Sequence, residues 1–423
     1  MAAFGPLQES YSGLVNFFEY DMTRTLTAGT KGEGVKSDCF VTLEISDEGI
    51  DVAIKSKVNT LYGDAIDSLA REMLDFYGIR KGRLAVDDHG ALPFTLAARL
   101  EAVMRKQTGS AQEYFLPVLP QNQYTTQRDR ERVSRLYLPG NNPKLMINAG
   151  IYGCHGIILD LEDSVAPDKK YEARFLVRNA LRSVDFYGAE RMVRINQLPA
   201  GLEDLGFVVP QPVNLILIPK CENAGQVRQV DAAISEILGH TNDNIHLMPI
   251  IESAAGVMNA FDIAKASGQV VALAIGLEDY TADIGVQRTV AGNESFFARS
   301  MVVNAARAAG IQPIDSVFSD IDDTDALLQS AGASKSLGFC GMGCIHPRQI
   351  NFIHKAFMPD EAEIDKASRI VAAFEKAEKE GLGVVALDSK MIDPPVVKRA
   401  LQVMEKARKA GMVTKDRRDT NEK

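Results

Sequence analysis

Two acidic residues, Glu252 and Asp279, stand just after two apolar segments that have the length and composition of buried strands. Mg²⁺ prefers oxygen ligands and typically takes only one or two protein carboxylates, leaving its other positions to water and substrate. If the two segments are neighbouring parallel strands, both carboxylates reach one ion. The sequence therefore predicts a divalent-cation site at Glu252 and Asp279. The alternative is that each acid only caps the helix that follows it.

Two basic residues end other apolar segments. Arg194 carries a planar, permanently charged guanidinium that is suited to gripping a carboxylate or an enolate oxygen. Its alternative role is an ion pair inside a barrel with Asp160 or Glu162. Lys220 could form a Schiff base in a metal-free aldolase. We rank the metal mechanism above that chemistry, because a metal pair would be redundant beside a Schiff base.

The elements that must position these side chains repeat along the chain. Eight apolar, strand-like runs alternate with helical stretches over roughly 220 residues, which is typical of a (β/α)8 barrel with both faces of its parallel sheet covered. Reactive groups in such a barrel lie at the carboxyl ends of the strands. An open doubly wound sheet would need a glycine-rich turn after its first strand, and the segment Leu138–Asn142 is not such a turn. The predicted strands are Arg135–Pro139, Gly156–Asp160, Met192–Ile195, Leu215–Ile218, Ile245–Ile251, Val270–Ile275, Ile314–Phe318 and Gly338–Ile345.

The chain divides into four predicted regions. Residues 1–108 form a small α+β unit, in which alternating apolar residues on both sides of the turn Ser46–Gly49 predict a β-hairpin. Residues 109–131 are polar and rich in Gln, and we predict a linker there. Residues 132–357 form the barrel, and residues 358–423 form a helical extension. The predicted fold class is α/β.

Composition and charge exclude several functional classes. A net charge of −9 argues against a broad nucleic-acid surface, because phosphate backbones demand clustered Lys and Arg. No apolar run approaches the roughly 18 residues that span a bilayer. The first residues lack a basic region followed by an apolar stretch, so we do not expect secretion. Scattered cysteines suit reduced thiols. Cys340, Cys344 and His346 lack a second Cys/His pair, so zinc is not expected. We expect a soluble, cytoplasmic enzyme without nucleic-acid or membrane partners.

A series of short motifs occurs in order between Ser134 and Met404. Together they resemble the β subunit of citrate lyase and its relatives, the malyl-CoA and citramalyl-CoA lyases. The motifs are Arg135-Leu-Tyr-Leu-Pro-Gly140, Leu159-Asp-Leu-Glu-Asp-Ser-Val165, Arg194-Ile-Asn196, Ile251-Glu-Ser253, Gly276-Leu-Glu-Asp279, Gly338-Phe339 and Ile345-His-Pro347.

This resemblance implies roles for individual residues. It implies Mg²⁺ on Glu252 and Asp279, and it places Arg194 near the 2-oxo acid product. It also implies that the substrate is bordered by Asp160, Glu162 and Gly276 as well as by Arg194.

The resemblance further singles out Asp393, in Met391-Ile-Asp393, as the general acid/base that a neighbouring subunit delivers. Taken alone, Asp393 looks like a helix N-cap before Pro394. A residue acting across a subunit boundary requires at least a dimer, and the relatives suggest a homo-trimer or homo-hexamer.

The first hundred residues resemble the γ subunit of citrate lyase, a small acyl carrier. The resemblance implies a phosphoribosyl-dephospho-CoA arm on a serine before the first strand, and Ser37 is the only serine placed for it. The segment Lys31–Lys36 looks like an insertion, and the alternative is a serine that only starts a strand. An α-like CoA/acyl transferase subunit becomes a further expected partner. The matching pieces are Thr27-Ala-Gly-Thr30, Ser37-Asp38, Tyr62-Gly-Asp64, Val86-Asp-Asp-His-Gly-Ala91 and Ala97-Ala-Arg-Leu-Glu101.

The function that we predict is cleavage of a 3-hydroxy-3-carboxyacyl thioester into a 2-oxo acid and a shorter acyl thioester. Cleavage of a citryl carrier to oxaloacetate and an acetyl carrier is the leading case. One alternative is a malyl-CoA or citramalyl-CoA lyase that acts on free CoA thioesters and keeps a vestigial carrier domain. Another is an assembly subunit whose barrel is catalytically silent. The sequence does not identify the acyl group, because the loops that select it cannot be placed.

Overall fold

A computed structural model describes residues 25–379, 381, 385–387 and 390–413. The predicted domain bounds also include residues 1–24 and 414–423, which lie outside the described residues. The chain forms two compact units, one ending at Tyr114 and the other beginning at Phe115.

The first unit contains one mixed sheet with two helices. Strand β2 pairs antiparallel with β1 and β4, and β3 pairs parallel with β4, which gives the order β1-β2-β4-β3. The core of this unit includes the fully buried side chains of Val41, Leu43 and Leu84. The elements are β1 Leu26–Gly29, β2 Cys39–Gly49, β3 Asp51–Ser56, α1 Asn59–Phe76, β4 Lys81–Asp88 and α2 Pro93–Thr108.

The predicted hairpin at Ser46–Gly49 is wrong. Both of its strands exist, but β4 lies between them, and β3 reaches β4 through a crossover that contains α1. The alternation of apolar residues reports only that one face of each strand is buried. It holds equally well whether the two strands pair directly or through a third.

Eight parallel strands of the second unit close into a barrel, in the order β10-β11-β12-β5-β6-β7-β8-β9. The (β/α)8 prediction is therefore confirmed. The barrel strands are β5 Ser134–Pro139, β6 Gly156–Asp160, β7 Glu190–Arg194, β8 Leu215–Ile218, β9 His246–Ile251, β10 Ala272–Ile275, β11 Gln312–Asp315 and β12 Gly341–Cys344. The helices of this part are α3 Pro143–Met146, α4 Lys170–Ser183, α5 Gly201–Val208, α6 Ala224–Leu238, α7 Ala254–Met258, α8 Ala260–Ala264, α9 Leu277–Asp283, α10 Phe296–Ala308, α11 Thr324–Leu337 and α12 Arg348–Phe357.

All eight predicted strands overlap the observed ones, and the last two differ most. The strand predicted at Ile314–Phe318 begins two residues earlier, at Gln312. The strand predicted to start at Gly338 starts at Gly341, because Gly338 ends helix α11 with a φ of 104°. That backbone conformation favours glycine and commonly terminates a helix.

The polar segment predicted as a linker makes contacts along most of its length. Before the junction of the two units, the Tyr114 hydroxyl donates to Glu72 at 2.8 Å. After the junction, Arg182 donates to the carbonyl of Leu116 at 2.8 Å. Further on, the Thr126 hydroxyl donates to the side chain of Glu190, at the start of β7, at 2.7 Å.

The C-terminal extension is a helical hairpin with its own small core. Helices α13 and α14 pack against each other around Ile370, Ile392 and Val397. Among the described residues, no helix has the length and the apolar character needed to cross a membrane. The elements are α13 Glu361–Lys379, β13 Val385–Leu387, β14 Lys390–Ile392 and α14 Pro394–Lys409.

A serine and two histidines meet at the amino ends of β5 and β6. The Ser134 hydroxyl lies 2.7 Å from Nε2 of His354, and the rings of His354 and His155 lie 4.8 Å apart. Burial and the neighbouring His155 lower the pKa of His354 to about 4. Burial also lowers the pKa of His155. Folding therefore makes both imidazoles harder to protonate.

This pair predicts an acid-sensitive fold. Between the unfolded pKa of about 6.5 and the folded pKa of about 4, only the unfolded chain takes up the proton on His354, so stability falls as the pH falls. His354→Gln should reduce the loss of unfolding free energy between about pH 7 and about pH 4.5 by about 1–2 kcal/mol. Urea denaturation at several pH values measures it. His240→Gln, at an exposed histidine, is the matched control, and equal pH slopes in both variants would contradict the prediction.

Candidate active site

The closed barrel places Asp160 and Arg194 side by side, because they end the neighbouring strands β6 and β7 in register. Arg194 grips Asp160 with two hydrogen bonds, from Nε at 2.7 Å and from Nη2 at 2.8 Å. Although burial opposes it, this contact lowers the pKa of Asp160. The ion pair that the sequence left open as an alternative is therefore present, and it fixes the orientation of the guanidinium.

Glu162 is a buried carboxylate beside this pair, with 4% of its surface exposed. Its Oε2 lies 2.8 Å from Nη1 of Arg194, and its Oε1 lies 3.4 Å from Nζ of Lys220. Neither oxygen accepts a hydrogen bond from a described residue. Burial raises the pKa of Glu162 to about 7, despite the charge of Arg194.

Glu252 follows β9 directly and is 6% exposed. Its Oε2 accepts the backbone N–H of Lys220 at 2.8 Å. Burial raises the pKa of Glu252 to about 8, and the charges of Glu162 and Asp279 add to that rise. A Cβ atom on Gly276 would lie 2.3 Å from Oε1 of Glu252, so only glycine leaves room for this carboxylate.

Lys220 connects the acidic side chains. It follows β8, the neighbour of β9, and its φ of +47° is unusual for a residue with a side chain. Its Nζ lies 3.7 Å from Asp163 and 3.7 Å from Asp279. Burial opposes protonation, but Glu162, Asp163 and Asp279 raise the pKa of Lys220. Schiff-base formation needs a neutral amine, so the geometry disfavours that alternative.

The residues present fit a divalent cation with oxygen ligands. Asp279 lies in the first turn of α9, and its side chain is 42% exposed. In the described part of the chain, no group of three or more His, Cys, Asp and Glu side chains could hold a metal ion. A two-carboxylate Mg²⁺ site lies below that number. The Glu162 oxygens without a hydrogen bond and the buried Glu252 carboxylate are groups that a nearby cation would stabilise.

Asp393 lies apart from this cluster in its own chain. It is the N-cap of α14, and its Oδ1 accepts the Val396 N–H at 3.2 Å. Pro394, the next residue, lines a groove of about 1780 Å³. Arg132, which precedes β5, and Gln312, which begins β11, line the same groove. That groove lies at the amino ends of the strands. Among the described contacts, Asp393 forms no hydrogen bond or ion pair with a residue of the strand-end cluster.

Ser37 belongs to the N-terminal unit, directly before the buried Asp38. Its φ is +61°, and its N–H donates to the carbonyl of His89 at 3.0 Å. Asp38 accepts Nε of Arg99 at 3.0 Å and Nη2 at 3.1 Å, and Arg99 is fully buried. A buried ion pair therefore anchors the turn that carries Ser37.

Sequence reasoning missed the central position of Lys220. It weighed this lysine only as a Schiff-base candidate, because the left-handed backbone that turns its N–H toward Glu252 leaves no sign in the residue types. One signal was available, because Lys220 comes shortly after β8 and Glu252 comes directly after β9, and these strands are neighbours.

Residues 133–347 match the family described as HpcH/HpaI aldolase/citrate lyase. The chain belongs to this family. Residues 23–107 match an acyl-carrier family described as the malonate decarboxylase delta subunit (MdcD). The resemblance to the citrate lyase β subunit, joined to a carrier-like N-terminal unit, is confirmed.

The chain is similar to several lyases. It is 39% identical over 284 residues to citrate lyase subunit beta of Leuconostoc mesenteroides subsp. cremoris, covering 66% of this chain and 94% of that protein. It is 32% identical over 300 residues to the L-malyl-CoA/beta-methylmalyl-CoA lyase of Rhodobacter capsulatus, covering 65% and 94%. Family membership and these relatives make the chain a carbon–carbon lyase.

A crystal structure of the CitE protein of Mycobacterium tuberculosis, in complex with magnesium, acetoacetate and coenzyme A, has a similar fold. It superimposes with a TM-score of 0.56 at 28% identity, and the match covers 66% of this chain and 99% of that one.

The contact between Gly276 and Glu252 predicts a specific sensitivity to one methyl group. Gly276→Ala forces Glu252 out of its position, and we expect a loss of about 1–3 kcal/mol of unfolding free energy. Gly206→Ala, inside α5 with no atom within 4 Å of the new Cβ, is the matched control and should not destabilise the protein. Urea denaturation of both variants measures the difference. Equal stabilities would show that Glu252 yields freely to the methyl group.

Proposed function

We propose that the chain is a Mg²⁺-dependent lyase that splits a 3-hydroxy-3-carboxyacyl thioester into a 2-oxo acid and a shorter acyl thioester. Cleavage of a citryl carrier to oxaloacetate and an acetyl carrier is the leading case. One observation carries the proposal. At the strand ends, one cluster contains the Arg194 guanidinium, which Asp160 fixes, and the buried carboxylate of Glu252. Glu162 contacts that guanidinium, and its charge helps to raise the pKa of Glu252.

In this proposal Glu252 and Asp279 hold the Mg²⁺ ion. The metal, when bound, polarises the hydroxyl and carboxylate oxygens of the substrate and stabilises the developing oxo acid. Support comes from the raised pKa of Glu252 and from the hydrogen bond that Lys220 gives to its Oε2, which leaves Oε1 beside Gly276. The relative from Mycobacterium tuberculosis was crystallised with magnesium.

Arg194 binds the oxygen on which negative charge develops. A guanidinium has five N–H donors, of which Asp160 takes two and Glu162 faces a third nitrogen. Nη1 also lies 3.6 Å from Asp163, but among the described contacts only Asp160 accepts hydrogen bonds from this guanidinium. Its other N–H groups can donate to the carboxylate of the 2-oxo acid or to the thioester enolate. Because Asp160 already fixes the guanidinium, little reorganisation is needed when charge appears.

Asp393 supplies the proton to the enolate carbon in the cleavage direction and removes it in the reverse direction. Its place in its own chain, away from the strand-end cluster, supports delivery by a neighbouring subunit. We therefore propose a homo-oligomer, with a trimer or hexamer as the leading states.

Two asparagine variants test these roles together. Asp279→Asn and Asp393→Asn should each lower thioester cleavage by about 100-fold or more. Asp393→Asn should keep its unfolding free energy, because asparagine caps helices as well as aspartate does. Asp262→Asn, at an exposed carboxylate on α8, is the matched control.

Co-expression of the two inactive variants locates Asp393. If a partner delivers it, mixed oligomers should regain up to about a quarter of wild-type activity, because some sites then combine one intact barrel with one intact Asp393. No recovery in verified mixed oligomers would contradict delivery in trans. Full activity of Asp279→Asn would contradict the metal role. A wild-type protein that cleaves none of these thioesters would favour the silent assembly subunit.

We also propose that Ser37 carries the phosphoribosyl-dephospho-CoA arm. The buried Asp38–Arg99 pair supports this, because it anchors the serine's turn. Joining a carrier to the lyase in one chain raises the effective concentration of the thioester at a barrel. An α-like CoA/acyl transferase subunit would then reload the arm.

A second candidate is a lyase for free malyl-CoA or citramalyl-CoA with a vestigial carrier unit. Two observations favour it. The φ of +61° at Ser37 suits glycine better than a modified serine. The similar protein from Mycobacterium tuberculosis was crystallised with coenzyme A itself.

Mass spectrometry separates the two candidates. Protein co-expressed with an arm-attaching enzyme should show the mass of the arm on the Ser37 peptide, and Ser37→Ala should abolish both the increment and the carrier-dependent turnover. An unmodified peptide, together with full activity of Ser37→Ala on CoA thioesters, would select the second candidate.

A further inference from the structure

Lys220 occupies an unusual position among four acidic side chains. Its ammonium lies 3.4 Å from Glu162, 3.7 Å from Asp163 and 3.7 Å from Asp279, while its backbone N–H donates to Glu252 at 2.8 Å. One residue thus contacts both carboxylates of the proposed Mg²⁺ site.

Without the Lys220 ammonium, the negative charges of the carboxylates around it would exceed the positive charges beside them. Glu162 is 4% exposed, and the other cation that pairs with it, Arg194, already donates two hydrogen bonds to Asp160. Carboxylates held this close repel one another, and a nearby cation offsets the repulsion. Within the described ion pairs of Glu162, Asp163 and Asp279, Lys220 and Arg194 are the only cations, and Asp279 is paired with Lys220 alone.

The backbone of Lys220 adopts a conformation that is uncommon for a residue with a side chain. A φ of +47° is costly for a residue with a Cβ, and it persists where the surroundings over-determine it. Here the same conformation turns the N–H toward Oε2 of Glu252. The Lys220 side chain is 30% exposed, so it borders solvent as well as the carboxylates.

We propose that the Lys220 ammonium is the resident cation of this site and must leave Asp279 when a divalent cation binds. Lys220 is then a positioning residue that sets metal affinity. It holds Glu252 through its backbone and competes with the metal through its side chain. This inference rests on the proposed metal role of Glu252 and Asp279.

Titration calorimetry with Mn²⁺ as the probe tests the competition. Lys220→Met should bind Mn²⁺ about tenfold more tightly than the wild type, because no ammonium has to be displaced. Lys220→Arg, which keeps the charge, should stay closer to the wild type. Lys144→Met removes one exposed positive charge elsewhere and should leave the affinity unchanged. Asp279→Asn should abolish binding in either background.

The outcomes separate this inference from the proposed function. Equal or weaker binding by Lys220→Met would overturn the competition while leaving the metal site intact. If Lys220→Met alone binds Mn²⁺, the competition is supported and the Mg²⁺-dependent function of the native chain is overturned. If neither binds, both fail.

A measurement on the wild-type protein avoids any dependence on the folding of a variant. Trace acetylation followed by peptide mass spectrometry reports the reactivity of each lysine. Added Mn²⁺ should increase the acetylation of Lys220 several-fold relative to Lys144, because the ammonium is released from its carboxylates. Unchanged or lower relative reactivity of Lys220, at Mn²⁺ concentrations that calorimetry shows to be saturating, would overturn the proposal.

Discussion

A buried carboxylate at the end of β9 imposes the main constraint on the strand-end cluster. Burying a charged group is costly unless charges or hydrogen bonds offset the cost, and Glu252 is 6% exposed. The neighbouring strands therefore supply what it needs. β8 leads to the Lys220 N–H, and β10 leads to Gly276, which has no Cβ to collide with the carboxylate. The left-handed backbone of Lys220 persists because it serves this same carboxylate.

Much of this arrangement was predictable because a closed parallel barrel converts chain order into spatial order. Once eight apolar runs are identified, the residues that end them must share one rim, and Asp160 and Arg194 become neighbours in register. The predictions that failed, or were missed, concern strand pairing and backbone angles. Alternation predicted both strands around Ser46–Gly49 but could not detect β4 between them. Residue types also gave no sign of the φ at Lys220.

The sequence around Asp393 does not decide between two roles for this residue, helix N-cap and general acid/base. An acid before a proline-led helix satisfies every rule for an N-cap, and its side chain does accept the Val396 N–H. In the described part of the chain, the cap uses Oδ1 of the carboxylate. The proposed function would have the same residue stabilise α14 and offer its other oxygen to a partner. The local sequence pattern predicts the N-cap, and only the family resemblance suggested the general acid/base.

Because one chain contains both compact units, the two are always made in the same ratio. Tyr114 is held by Glu72 on one side, and Leu116 is held by Arg182 on the other, so the join consists of ordinary, structured chain. Separate carrier-like and lyase polypeptides would have to be made in matched amounts, and a reversible complex of the two would dissociate on dilution. A single translated chain fixes their stoichiometry at one to one, whatever the concentration of the protein.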